Sequence, residues 1–310
     1  MRRRAFFGAI FAGLGSAAPQ PPKPQAGLIP TRTLGKTGVQ LTLIGMGGAR
    51  FHLLPFDEGK ALVRRAYELG INYFDMARSY FNGRAEEVYG AVIPAFRQQV
   101  FLTTKTGKRT RQEAEAELDL SLKLMRTDYV DLWQLHGVNQ QDDLARILAP
   151  GGALEALVAA KKAGKCRFVG FTGHADPHLN LEMLRSYPHF DTLLMPLHVA
   201  DTAYLSFEKL ALPAAVQAGI GRLGMKIFGN AFLLRAFSVR ECLSYTLTLP
   251  VHAVTLGFTT TGQLEDDVRI AQSFLPRPAA EMDALRARAA SDRFDVIHGP
   301  ALEYWKRKLP

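Results

Sequence analysis

The chain alternates between short apolar runs and longer segments of helical periodicity. Apolar runs of four to eight residues between turn residues predict buried parallel strands. These runs cover 43–48, 72–75, 100–105, 129–136, 166–172, 192–198, 221–228 and 252–257. The segments between them place apolar residues on one helical face, which predicts helices near 57–69, 85–96, 111–126, 152–163, 177–187, 206–218, 238–248 and 262–273. Capping-box spacing at Thr110 and Glu113, and at Ser238 and Glu241, supports two of the helix starts.

Eight strand–helix pairs predict an α/β fold, specifically a (β/α)₈ TIM barrel. An open doubly wound sheet would show similar alternation, but the count of eight and the even composition of the two halves favour the barrel. Residues 32–42 predict a short N-terminal β-hairpin that can plug the bottom of the barrel, and residues 276–310 predict a C-terminal helix and a tail.

The N-terminus has the pattern of a targeting segment. Arg2, Arg3 and Arg4 precede an apolar run at 5–15, which is shorter than the roughly 20 residues that span a bilayer. The pair Arg3-Arg4 resembles a twin-arginine signal, so the twin-arginine export machinery is an expected partner. Pro19 should hinder cleavage after the small residues that precede it, which leaves a cleaved signal and an uncleaved anchor as alternatives. Residues 1–29 are therefore interpreted as a targeting segment and proline-rich linker, residues 30–310 as the barrel, and the protein as exported (periplasmic or membrane-anchored) rather than cytoplasmic.

Composition narrows the function classes. Apolar residues make up 47% of the chain and charged residues 22%, as in an ordinary globular protein. The net charge is +9, and the segment before residue 30 contributes four of the positive charges without any acid. No basic run interleaved with aromatic residues follows, so no nucleic-acid partner is expected. The sequence also predicts no membrane-spanning domain, and Cys166 and Cys242 have no metal-binding spacing, so no metal site is expected.

Polar residues at the ends of three consecutive predicted strands carry the candidate chemistry. Asp75 ends the second strand and Tyr80 follows it, Lys105 ends the third, and His136 ends the fourth. Barrel enzymes keep their active sites at the carboxyl ends of the strands. Each residue alone has an ordinary structural explanation, as an ion pair, a surface aromatic or a core histidine. The four together predict an active site.

The runs FDMARSY at 74–80, TTKTG at 103–107 and YVDLWQLH at 129–136 resemble the three catalytic motifs of aldo-keto reductases. The resemblance extends from about Leu34 to about Asp267. It implies reversible reduction of an aldehyde or ketone, a small-molecule substrate, to an alcohol by NAD(P)H. In that chemistry Tyr80 is the general acid, Lys105 lowers the pKa of Tyr80, Asp75 holds Lys105 in place and His136 orients the carbonyl.

The same resemblance implies a set of cofactor contacts. Gly47 and Gly48 would lie beside the nicotinamide ribose, Thr172 and Met225 would contact the nicotinamide, and Lys226 would face the pyrophosphate. The adenosine-phosphate clamp after the eighth strand comprises Gly257, Thr259, Thr260, Gln263, Asp266 and Asp267. Family members often have an amide at the position of Gly173, a glutamine at that of Leu194 and an aromatic ring at that of Met225.

Two alternatives remain open at this point. NADP(H) is the expected cofactor, but Gly257 and Gln263 replace cations that often grip its 2′-phosphate, so NAD(H) also fits. The altered carboxamide contacts favour a nicotinamide-binding barrel that acts as a sensor or binding subunit with little turnover. The intact set Asp75, Tyr80, Lys105 and His136 favours the reductase.

Overall fold

The structure, a computed structural model, describes residues 27–291. The predicted targeting segment and linker therefore lie almost wholly outside the described residues, and export stays a prediction. The same holds for the tail from residue 292. Between residues 27 and 291, no helix has both the length and the apolar character that a membrane span requires.

Eight parallel strands close into a barrel, which confirms the predicted fold class. The ten strands of the described chain are β1 Thr31–Thr33, β2 Gln40–Thr42, β3 Ile44–Gly47, β4 Tyr73–Asp75, β5 Phe101–Thr106, β6 Val130–Leu135, β7 Cys166–Thr172, β8 Thr192–Pro196, β9 Gly221–Met225 and β10 Ala253–Leu256. Strands β3 to β10 pair in sequence order, and β10 returns to β3 to close the barrel. Each of the eight predicted apolar runs overlaps one barrel strand, and β5 extends one residue beyond its run, to Thr106.

The helices surround the barrel. They are α1 Phe56–Glu68, α2 Arg84–Gly90, α3 Arg111–Met125, α4 Gln141–Leu148, α5 Ala153–Lys162, α6 Pro177–Ser186, α7 Ala211–Ala218, α8 Val239–Thr248, α9 Thr261–Gln272 and α10 Ala279–Ser291. The described part of the predicted C-terminal helix is α10.

Three helical segments differ from the prediction. The helix predicted at 85–96 ends at Gly90, and a 3₁₀ turn at Ile93–Gln99 includes Pro94, which cannot donate to a continuing helix. The helix predicted at 206–218 begins only at Ala211, because the Asp201 carboxylate accepts hydrogen bonds from the Ser206 hydroxyl and the Glu208 amide and holds that segment as a loop. Helix α4 lies in a segment for which no helix was predicted.

The hairpin β1–β2 plugs the amino-terminal end of the barrel, as predicted. Leu34 and Leu41 are fully buried and pack in one cluster with inward-facing side chains of the barrel strands, which include Tyr73, Phe101 and Leu223. The contact is close, because a Cβ placed on Gly35 would lie 2.4 Å from the backbone nitrogen of Gly221 at the start of β9. The lower half of the barrel is therefore dry and apolar.

We expect the packing of the hairpin against the barrel to be sensitive to one methyl group. Gly35 and Gly38 both have left-handed backbones, with φ of +49° and +75°, but a Cβ on Gly38 would meet no atom within 4 Å. Alanine at either position carries the left-handed penalty of roughly 1–2 kcal/mol. Gly35→Ala should lower the free energy of unfolding by about 1–3 kcal/mol more than Gly38→Ala, because it also overpacks the barrel base. Urea denaturation of the two variants measures the difference, and equal losses would contradict this account of the plug.

Candidate active site

A buried ion pair lies at the carboxyl face of the barrel, meaning the carboxyl ends of its eight strands. Asp75 and Lys105 end adjacent strands and are 2% and 1% exposed. The Lys105 ammonium donates to both carboxylate oxygens of Asp75 at 2.8 Å and to the Met76 carbonyl at 2.5 Å. The Thr103 hydroxyl donates to Asp75 at 2.7 Å. Burial lowers the pKa of Lys105, and the Asp75 carboxylate partly offsets this effect.

The segment after β4 carries Tyr80 across the end of β5. The Met76 and Arg78 amides donate to the carbonyls of Thr103 and Lys105, so the chain follows the neighbouring strand before it turns. Tyr80 then begins a 3₁₀ turn at Tyr80–Gly83, in which Phe81 and Asn82 have left-handed backbones with φ of 54° and 53°. Such strain in non-glycine residues clusters at functional sites.

Helix α2 is held under this turn by a buried carboxylate. Glu86 is fully buried, accepts a hydrogen bond from the Thr104 hydroxyl at 2.7 Å, and lies 3.6 Å from the Arg78 guanidinium. Burial raises the pKa of Glu86. Because Thr104 and Arg78 flank Lys105 and Tyr80 along the chain, this contact fixes the segments that carry both residues.

The structure brings Tyr80, Lys105 and His136 together as predicted. The Tyr80 and His136 rings meet edge to face with centroids 5.8 Å apart, and the Lys105 ammonium lies 5.4 Å from the centre of the Tyr80 ring. The net shift of the Tyr80 pKa is upward, so the lowering expected from Lys105 does not prevail. Burial raises that pKa, and the Asp75 carboxylate raises it further.

His136 is a neutral imidazole with a defined neighbour. Burial lowers its pKa well below the ordinary value, and the charges of Lys105, Arg109 and Lys226 lower it further. Its Nδ1 lies 3.2 Å from the Ser79 hydroxyl. When Ser79 donates to Nδ1, the ring carries its proton on Nε2 and can donate it to a carbonyl oxygen.

Arg109 positions His136, and sequence reasoning missed it. Its Nη2 donates to the carbonyls of His136 and Gly137 at 3.0 and 2.9 Å, and its Nε donates to Asp143 at 2.8 Å. Asp143 lies on α4 and also accepts from the Asn139 amide. No motif marks Arg109, because its partners are distant in sequence and lie on a helix that was not predicted.

His174 also belongs to the site. Its ring centroid is 5.8 Å from that of His136, and its amide donates to the Asn139 side chain at 2.9 Å. Burial lowers the pKa of His174 to about 3, and the charges of Lys226 and Lys105 contribute. Within residues 27–291, no group of histidine, cysteine and acidic side chains could hold a metal ion.

The predicted nicotinamide residues lie on the inner wall of the carboxyl face. A Cβ on Gly47 would lie 2.8 Å from the Thr255 hydroxyl, and one on Gly48 would lie 2.4 Å from the Met76 methyl, so a side chain at either position would have to displace a neighbouring side chain. The fully buried Thr172 hydroxyl accepts from the Gly137 amide at 2.8 Å, which leaves its own proton to donate. Met225 packs in the apolar cluster of the barrel interior.

Two cations lie near the ends of β9 and β10. Lys226 follows β9 with a left-handed backbone, and burial, with help from the Arg50 charge, lowers its pKa to about 8. Arg50 lies across Gly257, since a Cβ there would be 2.7 Å from the arginine Cγ, and Arg50 donates to the Asn230 side chain at 3.2 Å. Sequence reasoning missed Arg50, which brings a positive charge to a position where residue 257 has none.

At the start of α9, nearby side chains already accept hydrogen bonds from two of the backbone amides. The Thr260 hydroxyl accepts from the Gln263 amide at 3.2 Å, and the Gln263 side chain accepts from the amide and hydroxyl of Thr259 at 3.0 Å. The predicted phosphate amides at this helix start are therefore partly occupied. Asp266 is exposed and pairs with Arg269. Asp267 is buried, and burial raises its pKa to about 7, with the Asp266 charge contributing.

Comparison with known proteins shows where this arrangement recurs. Residues 43–237 match the sequence model of the aldo/keto reductase family. The chain is 31% identical to L-galactose dehydrogenase of Arabidopsis thaliana over 158 residues, which are 47% of this chain and 49% of the relative. It is 32% identical to 6-dehydroglucose reductase of Novosphingobium aromaticivorans over 232 residues, or 68% and 72% of the two chains.

The fold has close structural counterparts. An aldo-keto reductase from Bacillus halodurans superposes with a TM-score of 0.71 at 22% identity, over 84% of this chain and 96% of the other. By sequence the chain spans about half the length of several curated relatives it matches, among them the Arabidopsis dehydrogenase and the L-glyceraldehyde 3-phosphate reductase of Escherichia coli, of which it covers 49% each.

The buried histidines should make the fold sensitive to mild acid. An unfolded histidine has a pKa of about 6.5, whereas His174 has one of about 3 and His136 one well below the ordinary value. Between about pH 6.5 and these lower values only the unfolded chain takes up the protons. As the pH is lowered through this range, the free energy of unfolding should therefore decrease, by up to about 1.4 kcal/mol per pH unit for each histidine.

Urea denaturation of the wild type and of His174→Asn between pH 8 and 5 tests this. The variant should show the shallower dependence on pH, because it lacks one of the groups that titrates only when unfolded. At pH 8 both states hold a neutral histidine, so the difference there gives the packing effect alone. An identical pH slope in the two proteins would rule out the buried neutral state of His174.

Proposed function

The chain belongs to the aldo/keto reductase family, and we propose that it reduces an aldehyde or ketone reversibly to an alcohol with a nicotinamide cofactor as hydride donor. The convergence of Asp75, Tyr80, Lys105 and His136 at the carboxyl face carries this proposal. Taking an ammonium and a carboxylate out of water costs several kcal/mol per ion, and their attraction repays it only in excellent geometry. Binding a cofactor does not require a buried ion pair next to a tyrosine, whereas proton transfer by that tyrosine does benefit from one.

The residues of the carboxyl face fit a nicotinamide dinucleotide. Arg50 and Lys226 bring two cations to the ends of neighbouring strands, where they would hold the cofactor phosphates. Thr172 offers a hydroxyl proton from the opposite part of the wall, near His136 and His174. When bound, this cofactor supplies the hydride that reduces the substrate carbon. We infer that NADP(H) and NAD(H) both bind, since Gly257 and Gln263 offer no cation to a 2′-phosphate.

Tyr80 would hold the proton that the substrate oxygen takes up. Its raised pKa keeps the phenol protonated at neutral pH, so it donates only when negative charge has built up on the carbonyl oxygen. Lys105 neutralises Asp75, whose charge would otherwise oppose a phenolate more strongly. Neutral His136 would donate a second hydrogen bond to the same oxygen and orient it. Solvent then returns the proton to Tyr80.

We expect Tyr80→Phe to abolish carbonyl reduction and to leave cofactor binding intact. Removing the hydroxyl removes the acid but keeps the ring, and general acid catalysis contributes about 10²–10⁴-fold. Turnover is followed by NADPH absorbance with a panel of aldehydes, and binding by calorimetry. Tyr129→Phe is a matched control, because that hydroxyl contacts Gln98 outside the site. Wild-type turnover in Tyr80→Phe would refute the assignment, and a wild type that binds cofactor but reduces no substrate would favour the sensor interpretation.

Restoring a cation at residue 263 should shift cofactor preference. We expect the wild type to discriminate only modestly between NADPH and NADH, and Gln263→Arg to favour NADPH. A charge-assisted hydrogen bond to phosphate contributes about 1.5–3 kcal/mol to binding. The substitution also removes the hydrogen bonds between the Gln263 side chain and Thr259, which offsets part of this gain. Gln272→Arg, at the far end of α9, is the control. A large wild-type preference for NADPH that Gln263→Arg leaves unchanged would contradict the placement of the 2′-phosphate.

We also propose that the protein is exported through the twin-arginine route, which carries folded proteins. A barrel that needs a soluble cofactor would fold and bind it before export. Replacing Arg3 and Arg4 with lysine keeps the charge but should abolish recognition of the pair, so the variant should remain in the cytoplasm and active. Cell fractionation compares the two versions. If both are cytosolic and soluble, residues 1–29 are not an export signal.

A further inference from the structure

His174 is an imidazole at the carboxyl face to which the proposed proton transfer assigns no role. Its ring centroid lies 5.8 Å from that of His136, at an interplanar angle of 54°. Its backbone is held in place, since its amide donates to the Asn139 side chain at 2.9 Å. Within the described chain neither ring nitrogen has a hydrogen-bond partner, and neither is among the unpaired polar atoms sealed from solvent. The side chain is partly exposed, so a ligand at this face can reach the ring.

Two more polar groups are open to a ligand at the same place. The Tyr80 ring packs edge to face on His136, and its hydroxyl has no partner among residues 27–291 and is not sealed from solvent. His136 uses Nδ1 for the Ser79 hydroxyl, which leaves Nε2 for a ligand. In the proposed reaction Tyr80 and His136 both bind the carbonyl oxygen of the substrate. A carbonyl oxygen has two lone pairs, so these two donors satisfy it. His174 is therefore left to bind a different atom.

The separation of the two imidazoles limits where that atom lies. A hydrogen-bonded oxygen lies about 2.7–3.2 Å from a ring nitrogen. Because the ring centres are only 5.8 Å apart, two oxygens bound by the two rings lie close enough to be carried by neighbouring carbon atoms. The atom that His174 binds is therefore expected on the carbon next to the carbonyl.

The charge state of His174 selects the kind of group. Its pKa of about 3 keeps the ring neutral in neutral solution, so the ring has one N–H donor and one nitrogen acceptor. A hydroxyl group likewise donates and accepts, whereas a carboxylate only accepts and is bound more strongly by a charged donor. A methyl group in the same place would take the ring nitrogens out of water without giving them a partner, which is unfavourable. The ring thus suits a hydroxyl group best.

We propose that His174 binds a hydroxyl group on the carbon next to the substrate carbonyl, so that the preferred substrates are α-hydroxy aldehydes or ketones. His174 is then a specificity-determining residue, while Tyr80 and His136 hold the carbonyl oxygen. This inference rests on the proposed function and narrows it to one class of carbonyl compound.

The test compares two aldehydes that differ in a single group. Lactaldehyde and 2-methylpropanal are similar in size and carry a hydroxyl and a methyl group, respectively, at the same position next to the carbonyl. His174→Leu should lower the ratio of their kcat/KM values about tenfold, as the loss of one hydrogen bond to lactaldehyde implies. The change in the ratio is the measured quantity, because the intrinsic reactivity of each aldehyde is the same with both enzymes.

Two further variants and a third aldehyde separate hydrogen bonding from packing. His174→Gln keeps a donor and an acceptor and should retain most of the preference for lactaldehyde. His189→Leu is the matched control, because that exposed histidine precedes β8 at the opposite end of the barrel and contacts Tyr187. It should keep the wild-type ratio. 3-Hydroxypropanal carries its hydroxyl group one carbon farther from the carbonyl and should lose less than lactaldehyde in His174→Leu.

The outcomes distinguish this inference from the proposed function. Equal ratios in wild type and His174→Leu would overturn the inference and leave the reductase standing. A variant that loses NADPH affinity in calorimetry but keeps the wild-type ratio would assign His174 to the cofactor, with the same consequence. A larger loss for glyoxylate, which carries a carboxylate next to the carbonyl, than for lactaldehyde would refute the choice of a hydroxyl group. A wild type that reduces none of these aldehydes would instead contradict the proposed function itself.

Discussion

The ion pair between Lys105 and Asp75 is the interaction on which the site depends. Two charges removed from water are tolerated only when every proton and lone pair is satisfied. Here the Met76 carbonyl and the Thr103 hydroxyl complete the pair. Those partners join two adjacent strands to the segment that carries Tyr80. The same contacts that make the pair tolerable therefore fix the position of Tyr80, the proposed acid, so stability and the proposed chemistry depend on one group of hydrogen bonds.

The barrel makes this pair possible by dividing its interior into two halves. Alternate residues of each strand point inward, so apolar side chains fill the lower layers, while Asp75, Lys105 and His136 occupy the upper one. Leu34 and Leu41 of the hairpin seal the lower end against water. Because water reaches the pair from one side at most, its electrostatic interactions are stronger than they would be in solvent.

Much of the fold and the set Asp75, Tyr80, Lys105 and His136 could be predicted, because both depend on local sequence pattern. Buried parallel strands are continuous apolar runs, and a residue at the end of a run must face the common carboxyl face. Arg109 and Arg50 could not be predicted in this way. Each acts through a partner far along the chain, such as the His136 carbonyl or the backbone at Gly257, and a single sequence does not show such contacts.

The direction of the pKa shift of Tyr80 also required the structure. Proximity of a lysine predicts a lowered pKa, but burial of the phenol and the charge of Asp75 raise it.

The positive charge around His136 serves two purposes at once. Lys105, Arg109 and Lys226 all disfavour a proton on the imidazole, so it stays a neutral donor. The same charges, with Arg50, raise the potential where an anionic cofactor would lie. A protonated His136 would compete with Tyr80 as the acid, and it would do so most easily in a site with fewer cations. In the proposed reaction, binding an anionic cofactor and keeping Tyr80 as the proton donor are therefore linked, because both follow from one distribution of charge.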